Sequence, residues 1–263
     1  MKELTIIIPL VEYRDDLVTY YERSINSVLH QDLEEVVSMI FVGPTSSIKH
    51  IKDNFGFGAR EVLFIENNKN TEPQFQINKA VKDVKTKYFT ILEFDDIFTN
   101  IWFKTAERYT DAFDNVSLFL PLTEVFDAKR PEVGGIGYAN EPVWSASFSD
   151  EMGYLDIDSL KNFYNFSVSG GIFNKADFLS VGGLKTNVKV FFWYELLLRM
   201  THNDKKVYVI PKVGYEHYIN VDNCLSSTYG QLEQKEIDFW FETAKEEYVY
   251  KTDRKKSYTT DSE

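Results

Sequence analysis

The sequence predicts an α/β protein in which a mostly parallel sheet is flanked by helices and followed by an irregular second half and a C-terminal helix. Three observations predict it. Short β-branched runs alternate with helical periodicity from Leu4 to Leu92, this order gives way after Val116 to glycines and aromatics, and Gln231 to Tyr248 spaces its apolar residues as one stripe.

Leu4 to Ile8 is β-branched and ends at Pro9, which suits a buried parallel strand opening into a functional loop. Leu17, Val18, Tyr21, Ile25, Val28 and Leu29 then keep helical spacing, with Asp15 or Asp16 available as a cap. A second strand, Val36 to Val42, stops at Gly43-Pro44. Glu61 to Ile65 reads as a strand, Gln76 to Val84 as a helix burying Ile77, Ala80, Val81 and Val84, and Tyr88 to Leu92 as the next strand. Ligands on such sheets sit beyond the carboxyl ends of the strands, where Glu93-Phe94-Asp95-Asp96 lies.

The second half offers a strand at Val116 to Pro121, a loop with Gly134, Gly135 and Gly137, helices near Leu160 to Tyr164, Lys175 to Val181 and Trp193 to Thr201, and a strand at Val207 to Ile210. No repeat or linker separates the halves. One domain over 1–250 is expected, with a first half to about 115, a second to about 228 and the helix over 229–250; 251–263 reads as a disordered tail.

With 21 Phe, 16 Tyr and 4 Trp in 263 residues, the chain has side chains enough for a substantial core. Its net charge of −12 argues against nucleic-acid binding. A lone cysteine, Cys224, excludes an intramolecular disulfide, and no apolar run reaches the length of a signal or transmembrane segment, so a cytoplasmic location is expected.

In the acidic run, Glu93 and Asp95 project to one side of an extended chain while Phe94 turns away. Such carboxylates are hard ligands for Mg²⁺ or Mn²⁺, which leave open positions for diphosphate oxygens. The same spacing also suits Asp95 or Asp96 as the N-cap of a helix over Asn100 to Tyr109. The aromatic set Tyr138, Trp144, Phe148, Phe163, Tyr164 and Phe166 suits either a core or stacking faces for a sugar. No GxGxxG, GxxxxGKS, HExxH or CxxC pattern is present.

Thr5-Ile6-Ile7-Ile8-Pro9, then Asn78-Lys79-Ala80 followed by Lys87 to Asp96, and later Ser169-Gly170-Gly171-Ile172-Phe173, Val181-Gly182-Gly183-Leu184 and Trp193 to Arg199, together resemble the family 2 glycosyltransferases of the GT-A fold from about Leu4 to Ser227. The resemblance implies a GT-A-like fold, with the nucleotide bound by the first half and the acceptor by the second. It implies a metal-dependent, inverting transfer of a hexose-like sugar from a nucleotide-diphosphate sugar, UDP-sugars favoured, to a glycan or other hydroxyl acceptor. Pro9, Val11, Glu12, Asn78, Glu93, Phe94 and Asp95 would face the donor, and Asp95 with His217 would hold Mn²⁺ or Mg²⁺.

The sequence departs from the family at three places. Glu93 replaces the usual aspartate. Phe192 and Trp193 stand where a Glu-Asp pair carries the catalytic base, leaving Glu195 as the nearest acid; Glu195 equally suits an i, i+4 pair with Arg199. The second strand ends at Gly43-Pro44-Thr45-Ser46, without the aspartate that relatives use for uracil. A sugar-nucleotide or glycan binding module without chemistry is the competing reading.

Overall fold

A computed structural model describes residues 3–31, 37–149, 151–222 and 232–245. Cys224, the tail over 251–263 and both ends of the expected C-terminal helix lie outside the described residues. The sheet runs in the order β3-β2-β1-β4-β9-β6-β10-β5, with β7 and β8 attached to β6 and β10. Its elements are β1 (Leu4–Pro9), β2 (Ser38–Gly43), β3 (Val62–Glu66), β4 (Tyr88–Ile91), β5 (Ile97–Phe98), β6 (Val116–Asp127), β7 (Gly135–Ala139), β8 (Tyr154–Leu155), β9 (Ile172–Asn174) and β10 (Lys206–Ile219).

Strands β3, β2, β1 and β4 are parallel, as are β6 and β10; β9 lies antiparallel between β4 and β6 and joins the two sets. The alternation of β1 divides the core. Ile7 packs with Ile40, Val42 and Phe89 in one layer, while Ile6 and Ile8 pack with Met39, Phe41 and Tyr88 in the other.

Helices cover both faces. α1 (Val18–Leu29), α2 (Thr45–Asn54) and α4 (Trp102–Ala112) bury Ile25, Ile51 and Trp102 against the second layer. α3 (Pro73–Val81), α5 (Ile157–Asn162), α6 (Lys175–Ser180) and α7 (Phe192–His202) bury Ile77, Leu160, Phe178 and Leu197 against the first. A further helix, α8, covers 234–245 and sets Phe241 on Tyr194, ring centres 5.3 Å apart.

The structure bears out the expected fold class and revises several elements. Neither Asp15 nor Asp16 caps α1: a 3₁₀ turn over Asp15–Leu17 intervenes, Asp15 accepts from the Tyr13 hydroxyl and Asp16 pairs with Arg14. The cap reading of the acidic run fails too, because β5 separates it from α4, whose N-cap is Ile101. α2 was not expected, since its buried stripe is only Ser47, Ile48 and Ile51. The glycine loop is largely strand β7, paired with β6. Gly43 is required by close approach, because a Cβ there would lie 2.7 Å from the Leu10 carbonyl oxygen.

Candidate functional site

The acidic run leaves β4 and turns tightly, with the Asp96 N–H donating to the Glu93 carbonyl at 3.2 Å. Each carboxylate has a defined setting. The Glu93 backbone is held on both sides: its N–H donates to the Tyr215 phenol oxygen at 3.0 Å, and its carbonyl accepts from Ser24 Oγ at 3.1 Å. The Glu93 carboxylate accepts a hydrogen bond from Ser169 Oγ. Asp96 is fully buried; its Oδ1 accepts from the Tyr218 N–H at 2.8 Å, and its Oδ2 lies 2.9 Å from His217 Nδ1. Oxygens of Glu93, Asp95 and Asp96 all lie within 4.8 Å of one another.

Three carboxylates this close resist full ionisation. Burial, then the charge of Asp96, raises the Glu93 carboxyl; burial, then Asp96 and Glu93, holds Asp95 well above the carboxylate range. Burial alone would lower the His217 imidazole, but the charge and hydrogen bond of Asp96 outweigh it and raise the ring from 6.5 to about 10. With Nδ1 turned to Asp96, Nε2 would become a ligand where a cation displaces its proton, the arrangement in which a carboxylate orients a metal-binding histidine. Buried, mutually repelling oxygens beside an oriented imidazole fit a hard divalent cation such as Mg²⁺ or Mn²⁺.

Beyond β1, Leu10 is clamped by the buried Gln76 amide, which accepts from the Leu10 N–H at 3.1 Å and donates to its carbonyl at 2.9 Å. The Val11 carbonyl accepts from Ser47 Oγ at 2.6 Å and from the Tyr21 hydroxyl at 3.2 Å. Glu12 is exposed and accepts from Ser46 Oγ, while Thr45 Oγ1 donates to Glu66 at 2.8 Å. Pro9 closes β1 opposite Val42. These groups line the same carboxyl edge of the sheet as the acidic run.

Three candidates are placed elsewhere. Both ends of the Asn78 amide bond the backbone of Leu184, at 2.7 and 2.8 Å, so the residue staples α3 to the turn after α6 instead of facing a donor. The Phe94 ring is buried against Tyr21, 5.6 Å between centres, so only its backbone is near the acids. Glu195 is 1% exposed and grips Arg199 through two hydrogen bonds of 2.9 and 2.8 Å, with Lys185 at 3.2 Å. Its carboxylate is committed to cations inside the protein, which corrects its expected role as base.

A cavity of about 490 Å³ opens beside Glu93 and His217. Tyr138, Tyr164 and the α7 start, Phe191 to Tyr194, give it aromatic walls; Thr123, Ser167 and Ser169 add polar groups. Of the aromatic set read as a sugar platform, Tyr138 and Tyr164 are exposed there and Phe166 also lines the wall, whereas Phe148 and Phe163 pack on Phe166 and on each other and Trp144 packs on Tyr208. Sequence reasoning missed Ser169, Tyr215, Gln76 and Thr123 as site residues. Ser169 and Tyr215 had a signal, the first within the Ser169 to Phe173 segment and the second two residues before His217.

No family model and no curated protein sequence matches the chain. Solved structures do: S. aureus TarS 1-349, a GT-A-type family 2 glycosyltransferase, matches with TM-score 0.61 and 15% identity over 83% of this chain and 60% of that one. TarS 1-349 in complex with UDP-GlcNAc matches with TM-score 0.62 and 16% identity over 86% and 61%, and the complex with UDP with TM-score 0.60 and 15% identity over 83% and 61%. The chain spans about 60% of the length of these TarS structures, and at this identity the likeness shows a shared GT-A-type fold. Among the described residues, no helix is long and apolar enough to cross a membrane.

Proposed function

We propose that the protein is a metal-dependent, inverting glycosyltransferase that moves a hexose-like sugar from a nucleotide-diphosphate sugar to a hydroxyl acceptor. The carrying observation is the cluster of Glu93, Asp95 and Asp96 at the carboxyl end of β4, beside an oriented His217 and an open cavity. The UDP and UDP-GlcNAc complexes of TarS support a UDP-sugar as donor. The inverting outcome rests on the family resemblance.

Asp95 and His217 would hold Mn²⁺ or Mg²⁺, which supplies neutralisation of the diphosphate as the leaving group gains charge. Asp96 keeps His217 in one orientation through Nδ1 and is itself tied to β10 by the Tyr218 N–H. Ser169 fixes the Glu93 carboxylate toward the donor side. Gln76, Ser47 and Tyr21 set the backbone of Leu10 and Val11, which places Glu12 at the edge where the nucleoside would lie. The aromatic cavity receives the acceptor and excludes water from the transferred sugar.

The second reading, a binding module without turnover, is favoured by the burial of Glu195 in its ion pairs and by Phe192 and Trp193 at the start of α7. Titration calorimetry of UDP, GDP and UDP-GlcNAc with and without Mn²⁺, on the native chain and Asp95→Ala, tests both. Metal-dependent binding lost in the variant, together with nucleoside diphosphate release, supports the transferase. Binding without release under any acceptor supports the module, and no nucleotide binding overturns both.

A further inference from the structure

Two features of the cavity constrain the acceptor, given the transferase reading on which this inference rests. Its walls are mainly aromatic and aliphatic side chains, and Glu93, itself bonded to Ser169, is the sole carboxylate among the described residues that line it. The nearest acid on α7, Glu195, points away into Arg199 and Lys185. A sugar acceptor seated there would meet a few polar side chains, Asn165, Ser167 and Ser169 among them, and would bury its other hydroxyls against ring faces that cannot pair them. It would also have to lose a proton from a hydroxyl whose pKa lies far nearer that of water, about 15.7, than neutrality.

We propose that the cavity binds an aromatic alcohol, a phenol, as the acceptor. A phenol stacks on Tyr164 and Trp193 and offers one polar atom. Ser167 on the cavity wall supplies a hydroxyl for a polar substituent. Phenols ionise near pH 10, as the tyrosine side chain does, so a useful fraction of nucleophile forms without a dedicated carboxylate base. In the transfer the phenol proton passes to water and the phenolate oxygen bonds to the anomeric carbon. The bond from that carbon to the diphosphate oxygen breaks, and its electron pair leaves with the nucleoside diphosphate.

The test uses the full chain with Mn²⁺ and UDP-GlcNAc, or whichever nucleotide sugar calorimetry shows to bind. It compares 4-methylphenol and 4-nitrophenol with 4-methylcyclohexanol and methyl glucoside as acceptors, following nucleoside diphosphate release and the glycosylated product. The phenols should turn over at least about tenfold faster than the matched cyclohexanol, a difference of about 1.4 kcal/mol in barrier. Tyr164→Ala, at a residue 47% exposed, should weaken 4-methylphenol binding by saturation-transfer NMR while leaving donor binding intact. Trp193→Asp should raise turnover of the cyclohexanol. Donor binding with turnover of methyl glucoside but not of phenols overturns the inference and leaves the transferase reading standing. Absence of donor binding overturns the transferase reading itself.

Discussion

Replacing Glu195 by glutamine separates a structural carboxylate from a catalytic one. The native carboxylate is 1% exposed, makes two hydrogen bonds to Arg199 and sits 3.2 Å from Lys185. Arg199 is itself 8% exposed and also donates to the Val181 carbonyl, so glutamine removes the Glu195 charge from beside a buried cation. Breaking a buried pair from one side costs about 3–5 kcal/mol. At about 2–4 °C per kcal/mol for a chain of this size, Tm should fall by about 6–20 °C. Thermal melts and urea titration measure the loss, and nucleoside diphosphate release at a temperature where both proteins are folded measures turnover per folded molecule. Turnover should be unchanged within about twofold, well under 1 kcal/mol of barrier. A variant as stable as the native chain but inactive would refute the reasoning and restore Glu195 as the base.

Further outcomes follow from the site. Mn²⁺ at about 100 times its dissociation constant should stabilise the native chain by about 2.7 kcal/mol in thermal melts, and Asp95→Asn should lose that gain. In the metal-free protein the His217 pKa is raised from 6.5 to about 10, so its folded-state proton stabilises fully below 6.5 and the benefit is lost as pH rises through 10; urea titrations across that window should show the decline, and His217→Gln should flatten it. Asn78→Ala should cost about 1–3 kcal/mol for its two backbone hydrogen bonds while leaving UDP affinity unchanged by calorimetry. Gln76→Ala, which frees Leu10 beside the donor edge, should weaken UDP binding by about tenfold or more.

The legible part of the fold is local. Leu4 to Pro9 and Tyr88 to Leu92 announce themselves because a strand buried on both faces is continuously apolar, and the acidic run is conspicuous because it interrupts such a strand at its carboxyl end. α2 was hidden because three buried residues in ten make no periodic signal. At the site, the carboxylates were legible as ligands but their supports were not: Gln76 reaches Leu10 across 66 positions, and Asp96 reaches the Tyr218 N–H across 122. Such partners are set by strand order, which single-sequence periodicity does not encode. Glu195 shows the opposite case. Its i, i+4 relation to Arg199 was visible, and burial is what decides between that pairing and catalysis.

The insertion of β9 explains why the acids and the aromatic cavity meet. An antiparallel strand between β4 and β6 must enter from the carboxyl end of β4, so the segment before β9 passes directly over the acidic run. Gly170, at φ 75°, makes that passage possible: its N–H bonds the Ile91 carbonyl at 2.9 Å, its carbonyl accepts from Trp102 Nε1 at 2.9 Å, and a Cβ there would fall 2.4 Å from the Tyr215 ring. Tyr215 in turn receives the Glu93 N–H, and Ser169, one residue earlier, holds the Glu93 carboxylate. Glu93 is thereby held from both halves of the sheet, by Tyr215 of β10 at its N–H and by Ser169 at its carboxylate. One side chain thus joins the acidic cluster to the cavity wall.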